Sequence, residues 1–462
     1  MTTSRHADPG VATASGRPDA LRRQQYGWFF NDWANAAFSA TVLTVFLGPY
    51  LTTVATNAAD AHGDVHPLGI PVRAGSFYPY TVSASVLLSV VVMLLAGTVA
   101  DRTGRHRLLL CGFAYVGAAA TLGMFFLRGD RYLVGGGLLV VANICYAVSA
   151  ALANSFLPGL AAPDDRDAVS SKGWAFGYAG GGLLLIVNLA LFEGRAGLGL
   201  SEATAVRLCL ASAGAWWAAF TVLPMLRLPT RPQYGAAAAD VPVERREAAG
   251  GTVRELLATL RGMRRYPLTL LFLVAFLCYN DGIQTVVSQA SLFGSKELHM
   301  GQQTLIVAIL LVQVVAIAGA LLLGRLARAF GAKRTVLGSL VGWVLTLALG
   351  YVMPARSPAW FFLLAVLIGL VLGGSQALSR SIFSHLIPAG REAEYFSLYK
   401  ISDRGTSWMG PLVFGLAYQV TGSYRAAIIS LLVFFAIGFL LLVRVPVKRA
   451  IEAVGNPVPE RL

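Results

Sequence analysis

Residues 79–107, PYTVSASVLLSVVVMLLAGTVADRTGRHR, join a long uncharged apolar run to a short segment rich in basic residues. The run 79–100 is longer than the roughly 20 residues that an α-helix needs to cross a bilayer. In lipid an open-ended segment must satisfy its backbone hydrogen bonds internally, and only a helix does so. This stretch therefore predicts a membrane helix that ends in a charged turn.

The same pattern recurs along the whole chain of 462 residues. Hydrophobic residues make up 56% of the chain, charged residues only 13%, and the mean hydropathy is +0.63. Because soluble proteins carry about 25% charged residues, this composition excludes a water-soluble globular protein. We predict an all-α membrane protein with twelve spans, at residues 26–55, 79–100, 108–127, 133–157, 173–193, 205–226, 268–292, 303–324, 335–353, 359–381, 395–419 and 426–443.

The basic residues between the spans predict how the helices are oriented. Of the 37 Lys and Arg residues, 27 fall on the side of the N-terminus and eight on the other side, with Lys400 and Arg404 inside a span. Since cytoplasmic loops are enriched in Lys and Arg, we expect a multi-pass protein of the cell membrane with both termini in the cytoplasm. The net charge of +14 then indicates contact with membrane lipid and no nucleic-acid partner.

A long polar segment in the middle of the chain separates six spans from six. Its second part, TVRELLATLRGMRRY, places apolar side chains on one helical face and arginines on much of the rest, which is typical of a helix lying on the membrane surface. We predict five regions: a disordered tail 1–25, a first bundle 26–226, a linker with an amphipathic helix 227–267, a second bundle 268–443 and a tail 444–462.

The two halves repeat each other. GTVADRTGRHR at 97–107 follows span 2, and GRLARAFGAKR at 324–334 follows span 8, with Gly97 and Gly104 matching Gly324 and Gly331 at one offset. Asn-Asp pairs also occur in spans 1 and 7, at 31–32 and 280–281. Duplicated six-helix halves are typical of transporters, whose substrate site lies between the repeats near the middle of the membrane.

These motifs resemble those of a known family. The segment after span 2 resembles the loop-2/3 motif of the major facilitator superfamily. NDWANAAF at 31–38, QALSRS at 376–381 and GREAEYFSLY at 390–399 resemble the branch named for the fungal vacuolar amino-acid effluxer. The similarity runs from about residue 24 to 443 and implies two pseudo-symmetric six-helix bundles that rock around a central cavity.

The resemblance also implies a gate at the cytoplasmic face. In the superfamily the acidic residue of this motif and its basic neighbours latch that face when the protein opens outward. The corresponding residues here are Gly97, Asp101, Arg102, Gly104 and Arg105. The alternative is that the basic run only fixes the topology.

Asp281 is the best single candidate for a site residue. Ionisable residues inside spans are costly and mark a functional path. Asp281 lies about fourteen residues beyond Pro267, which is roughly 20 Å along a helix. The neighbouring Gly282 predicts that the helix loosens there and frees backbone groups to bind a ligand. Asp281 is expected to bind solute or to carry a proton, and the sequence does not choose between these roles. The alternative is a buried carboxylate held by a neighbouring helix.

Further candidates lie in spans 1, 7, 10 and 11. Asp32 is the counterpart of Asp281 and lies nearer the inner surface. It is expected to be a ligand or, alternatively, a gate or helix-packing residue. Lys400 and Arg404 share one helical face, so they are expected to face the cavity or to pair with acids. The alternative for Arg404 is an ion pair with its neighbour Asp403. The polar or aromatic candidates for the remainder of the site are Asn35, Tyr279, Asn280 and Gln376, each of which could instead join helices.

An anion and a cation across a shared cavity suit a zwitterion such as an amino acid. We therefore predict a monomeric secondary active transporter of a small polar solute, working by alternating access as a proton-coupled effluxer. Efflux of drugs or natural products is the first alternative, and a non-transporting sensor or scaffold is the second. No Walker motif or Ser/His/Asp group stands in the spans, so we expect no enzyme activity, no cofactor and no metal.

Overall fold

The structure is a computed structural model that describes residues 17–160, 166–232, 264–387, 399 and 405–456. In these ranges eleven helices are long and apolar enough to cross a membrane. The remaining span is described from residue 405, and its helix runs Met409–Thr421. The chain is therefore an all-α membrane protein with twelve spans in two six-helix bundles, as predicted. Most of the central linker, with its predicted amphipathic helix, lies outside the described residues.

The first bundle contains spans 1 to 6. Span 1 has three segments, an α-helix Arg17–Ala37, a π-helix Phe38–Phe46 and an α-helix Leu47–Asn57. The helix thus begins before residue 26 and continues through part of the predicted tail. Spans 2 to 6 are the helices Ala74–Thr103, His106–Gly123, Tyr132–Asn154, Arg166–Glu193 and Glu202–Arg227.

The second bundle contains spans 7 to 12. Spans 7 to 10 are the helices Pro267–Lys296, Gln302–Phe330, Ala332–Val352 and Pro358–His385. Span 11 is Met409–Thr421, and span 12 consists of Tyr424–Ser430 and Leu432–Arg444. A short helix follows at Val447–Ala453 with Ile451 fully buried, so the region predicted as a second tail packs back onto the bundle.

The packing of the helices shows the pseudo-symmetry of the two halves. Span 1 packs on span 6, span 2 on span 4 and span 3 on span 4, and the equivalent spans 7 and 12, 8 and 10, and 9 and 10 pack in the same way. Between the bundles, span 2 contacts span 11 and span 5 contacts span 8. Span 8 is the equivalent of span 2, and span 5 is the equivalent of span 11, so the two contacts are exchanged by a two-fold relation between the bundles.

The ends of the helices define two faces. We call the face where span 6 ends at Arg227 and span 7 begins at Pro267 the linker face. The opposite face, which we call the loop face, carries the connection between spans 1 and 2. This connection contains a two-stranded antiparallel hairpin of β1, Asp64–Val65, and β2, Val72–Arg73.

Asp60 organises the connection between spans 1 and 2. One oxygen of its carboxylate accepts hydrogen bonds from the backbone N–H groups of His62 and Asp64 at 2.9 and 3.0 Å, and the other contacts Nε2 of His66 at 3.0 Å. The hydrogen bond with His66, followed by those from the backbone, lowers the pKa of Asp60 to about 2. This carboxylate therefore holds the loop in shape.

Corresponding glycines turn the chain at the linker face in both halves. Gly104 follows span 2 with a φ of +64°, and Gly331 follows span 8 with a φ of +92°. Side chains rarely tolerate positive φ, so glycine is favoured at both positions. The repeated sequence motif thus corresponds to a repeated sharp turn.

A row of glycines lets span 5 pack closely on span 1. A Cβ on Gly180 would lie 2.7 Å from the carbonyl oxygen of Trp33, and one on Gly173 would lie 2.5 Å from the ring of Trp28. A Cβ on Gly182, two residues along span 5 from Gly180, would meet nothing within 4 Å. Small residues at such positions let helix backbones approach in membranes.

Gly180→Val should therefore destabilise the protein, because its side chain would overlap the backbone of span 1, a change that typically costs about 1–3 kcal/mol. Gly182→Val is the matched control, since it carries the same change in helix propensity on an open face. The melting temperature in detergent measures both variants. Equal melting temperatures would contradict the close packing of spans 1 and 5.

Candidate functional site

Asp281 lies in the middle of span 7 and is fully buried. Its Oδ2 accepts a hydrogen bond of 2.9 Å from the backbone N–H of Gly410 in span 11. Its backbone carbonyl accepts one of 2.7 Å from Thr285 Oγ1, one turn further along span 7. The predicted site residue is thus in direct contact with the start of a second helix.

The two residues before Asp281 bind span 10. Gln376 Nε2 donates to Asn280 Oδ1 at 2.5 Å, and the hydroxyl groups of Tyr279 and Ser379 lie 2.5 Å apart. Tyr279 and Asn280 are each 1% exposed. These predicted site residues therefore join spans 7 and 10 inside the second bundle.

The expectation that span 7 loosens at Gly282 is wrong. The helix Pro267–Lys296 is continuous through this position. A Cβ on Gly282 would lie 2.9 Å from the ring of Phe435 and 3.2 Å from Cβ of Phe434. The glycine therefore serves the close approach of span 12, and the helical backbone stays paired.

Span 11 is the span that is interrupted near Asp281. Residues 405–406 are helical, 407–408 form a turn, and the helix Met409–Thr421 starts after it. The first N–H groups of a helix have no partner within that helix. Trp408 supplies no side-chain cap, and the Asp281 carboxylate pairs with the N–H of Gly410. A carboxylate at this position is also favoured by the helix dipole.

Asp32 and Asn35 lie in the α-helical part of span 1. Asp32 is half-buried, and its Oδ2 would lie 2.8 Å from a Cβ on Gly173 of span 5. Asn35 is 4% exposed, and neither polar atom of its amide has a hydrogen-bond partner among the described residues. A buried polar group without a partner is rare and needs an explanation, for which a bound solute is one candidate.

A π-helix, Phe38–Phe46, begins three residues after Asn35. Thr44 Oγ1 donates to the carbonyl of Ser39, five residues earlier, at 2.9 Å. Segments of π-helix are rare and occur frequently at functional sites. The irregular part of span 1 thus lies beside Asn35.

Lys400 and Arg404, the predicted cations of span 11, lie outside the described residues, as does Asp403. The side chain of the predicted gate residue Asp101 also lies outside them. Arg102 and Arg105 are exposed. Gly97 has open space where a side chain would be, and Gly104 forms the turn described above.

Hydrogen bonds join the two bundles at the loop face. Spans 2 and 11 share a set in which Ser76 Oγ donates to the carbonyl of Gly415 at 2.9 Å and Ser83 Oγ donates to that of Trp408 at 2.8 Å. Further hydrogen bonds between the bundles link Arg73 N to Gln419 Oε1, Tyr424 OH to Gly75 O, Lys296 Nζ to Thr53 Oγ1 and Gln302 Nε2 to Val45 O. The loop face is therefore closed.

The half of the molecule toward the linker face differs in its contacts between the bundles. Among the described residues no hydrogen bond links the bundles there. Tyr178 of span 5 is 54% exposed, and Arg380 of span 10 is also exposed. The hydrogen bonds between the bundles that involve described residues are therefore concentrated at the loop face.

A pocket inside the second bundle is a separate feature. It lies between spans 7, 8, 9 and 10, and its walls include Phe293, Val312, Leu347 and Ile368. This wall is apolar and holds none of the predicted site residues. The pocket therefore belongs to the packing of that bundle.

Sequence reasoning missed the serines of span 2 and Gly410 of span 11. Ser76 and Ser83 lie in an apolar helix, and no motif around them predicts a role. The feature that could have predicted this interface is their small hydroxyl side chains, together with Gly410 and Gly415 in the facing span. Small polar residues on a membrane helix indicate a helix interface.

Comparisons with known proteins agree with this architecture. The model of the family described as vacuole effluxer Atg22 like matches residues 20–455. An uncharacterized MFS-type transporter, YxiO of Bacillus subtilis, is 28% identical over 427 residues, which is 92% of this chain and 95% of that protein. Autophagy-related protein 22 of Yarrowia lipolytica is 29% identical over 449 residues, covering 79% of this chain and 74% of its own.

Solved structures of transporters share the fold at low sequence identity. A D-xylose-proton symporter superposes with a TM-score of 0.66 at 14% identity, over 93% of this chain and 97% of its own. The nucleoside transporter NupG gives a TM-score of 0.61 at 15% identity, over 95% of this chain and 100% of its own. At this identity the likeness concerns the fold alone.

The hydrogen bond between Tyr279 and Ser379 should stabilise the second bundle. Ser379→Ala should lower the free energy of unfolding by about 1 kcal/mol or more, because it leaves the buried Tyr279 hydroxyl without this partner. Tyr279→Phe should cost less, because the Ser379 hydroxyl still donates to the carbonyl of Ser375 at 2.6 Å. In a double-mutant cycle the combined variant should lose less than the sum of the two single losses. Additive losses would contradict a direct interaction between the two hydroxyls.

Proposed function

The chain belongs to the Atg22-like vacuole effluxer family of the major facilitator superfamily, and on this basis we propose that it exports a small polar, amino-acid-like solute by alternating access. The observation that carries the proposal is the position of Asp281. It is a fully buried acid at mid-span, beside the interrupted span that contacts the other bundle. A charge in the middle of a membrane span is costly and marks a functional path.

The chemistry of the proposed site suits a zwitterion. The carboxylate of Asp281 receives the solute's ammonium group, and the guanidinium of Arg404 receives its carboxylate, with Lys400 as a second cation. Asn35, Asn280, Tyr279 and Gln376 are the neutral groups that complete the site. Asp32 contributes from the first bundle, either as a ligand or as part of a gate.

Export against a gradient needs an energy source, and we propose a proton. Asp281 is then either the proton carrier or the solute ligand, and protonation of a buried carboxylate removes the cost of its charge. The linker face is proposed to be cytoplasmic, with both termini, in the cell membrane. The closed loop face is then the outer face, and Asp101 with its basic neighbours latches the linker face when the loop face opens.

A larger, aromatic solute is the second candidate. Trp174 and Tyr178 of span 5 are 50% and 54% exposed, and the centroids of their rings lie 5.9 Å apart. Aromatic walls of this kind favour drugs or natural products over amino acids. This assignment keeps the alternating-access mechanism and changes only the cargo.

Asp281→Asn should abolish gradient-driven solute flux in reconstituted vesicles, because an amide neither binds an ammonium group as an ion pair nor carries a proton. Asp130→Asn, at an exposed acid on the loop between spans 3 and 4, is the matched control and should transport normally. Both variants should reach the membrane in normal amounts. Full transport by Asp281→Asn would remove the proposed role of this residue.

The identity of the solute is tested by thermal-shift measurements on the purified protein. Single amino acids, dipeptides and drugs are compared at two pH values, because a ligand of the folded state raises the melting temperature. The proposal expects the larger shifts with amino acids. Shifts only with drugs would favour the second candidate, and a solute that shifts the protein yet is not transported would favour a sensor.

The orientation is tested with reporter fusions. A reporter that fluoresces only in the cytoplasm should be active when fused to either terminus and inactive when inserted at Gly63 in the loop between spans 1 and 2. The reverse pattern would overturn the proposed topology.

A further inference from the structure

We propose that Asp281 is the positioning residue of a hinge in span 11, where its carboxylate fixes the broken end of the helix and thereby keeps the loop face closed. The inference rests on the proposed function in that the hinge belongs to the same transport cycle. It assigns Asp281 a role besides contact with the solute.

The first part of the hinge is the contact between spans 7 and 11. The N–H of Gly410 donates to Asp281 Oδ2 at 2.9 Å, and both groups are buried. A Cβ on Gly410 would overlap Thr285 Oγ1 and lie 3.1 Å from the backbone carbonyl of Asp281. The helix start is thus pressed against one turn of span 7, and the side chain of Asp281 determines where it sits.

The second part is the contact between span 11 and the first bundle. Two residues before Gly410, the carbonyl of Trp408 accepts a hydrogen bond of 2.8 Å from Ser83 Oγ of span 2. The same carbonyl accepts the N–H of Leu412 at 3.2 Å, which starts the helix. The interruption is therefore fixed by Asp281 of the second bundle and by Ser83 of the first bundle.

The helix that starts at this point forms much of the seal at the loop face. The carbonyl of Gly415 accepts from Ser76 Oγ, and Gln419 Oε1 accepts from the N–H of Arg73 at 2.9 Å. A Cβ on Gly75 would overlap the ring of Tyr418. Because a helix moves as a rigid body, a shift at Gly410 displaces all of these contacts together.

A buried reporter at the seal measures this coupling. Ser76 is fully buried, so Ser76→Cys should react slowly with a maleimide in lipid nanodiscs. The reporter is placed in a full-length chain whose four cysteines, at 111, 145, 209 and 278, are replaced by alanine. Labelling rates are then compared with and without changes at Asp281, at one pH.

Asp281→Ala should raise the labelling rate about tenfold or more, because a hydrogen bond to a charged group is lost from the closed state. Asp281→Asn keeps an oxygen that accepts the N–H of Gly410, so its labelling should stay within about twofold of the parent. Thr269→Val is the matched control. It removes a hydrogen bond of span 7 to the carbonyl of Leu386 within the second bundle, and should lower the melting temperature without changing the labelling.

An unchanged labelling rate in Asp281→Ala would overturn the hinge. Equal rates in Asp281→Asn and Asp281→Ala would also overturn it, because a retained acceptor would then have no effect. Faster labelling in Thr269→Val would show that any loss of stability opens the seal, and would overturn the specific role of Asp281.

A second variant keeps the inference testable if Asp281→Ala does not fold. Ser83→Ala removes the other hydrogen bond to the interruption and leaves the acid intact, so it should raise labelling severalfold. Unchanged labelling in Ser83→Ala would count against the hinge. Transport separates the two proposals: Asp281→Asn that stays closed but transports fully would remove the proposed function and leave the hinge standing.

Discussion

The fold depends on one constraint, which is that every backbone N–H and C=O group in the lipid core must find a partner inside the protein. Continuous helices meet it in most spans, and the interruption of span 11 is one place where it is met differently. There the N–H of Gly410 is taken by Asp281, and the carbonyl of Trp408, which also accepts the N–H of Leu412, accepts a hydrogen bond from Ser83. A break in one helix thus creates specific links to two others.

Span 7 is central to the packing of the second bundle. Four consecutive residues from Tyr279 to Gly282 contact spans 10, 11 and 12. Most hydrogen bonds at the loop face are of another kind, because they join a side chain of one bundle to a backbone group of the other. Each such hydrogen bond contributes only about 1 kcal/mol net. A seal made of several weak bonds can open and close, whereas the interior of the bundle stays assembled.

The sequence predicted most of the fold and part of the site. Hydropathy gave the spans, the repeated glycines gave the turns at Gly104 and Gly331, and burial of Asp281 followed from its place in an apolar run. The π-helix of span 1 and the break in span 11 were not predicted, because the apolar composition of a span does not encode its hydrogen-bond register. The loosening expected at Gly282 was wrong because this glycine accommodates a neighbouring aromatic ring.

The role of Asp281 as a helix cap does not by itself explain why an acid stands there. One N–H needs one acceptor, and an asparagine side chain supplies that acceptor without a charge. A buried carboxylate costs several kcal/mol unless it is paired or protonated. The charge therefore exceeds what capping of Gly410 requires. Under the proposed function, capping places the carboxylate, and its charge is what an ammonium group or a proton would meet.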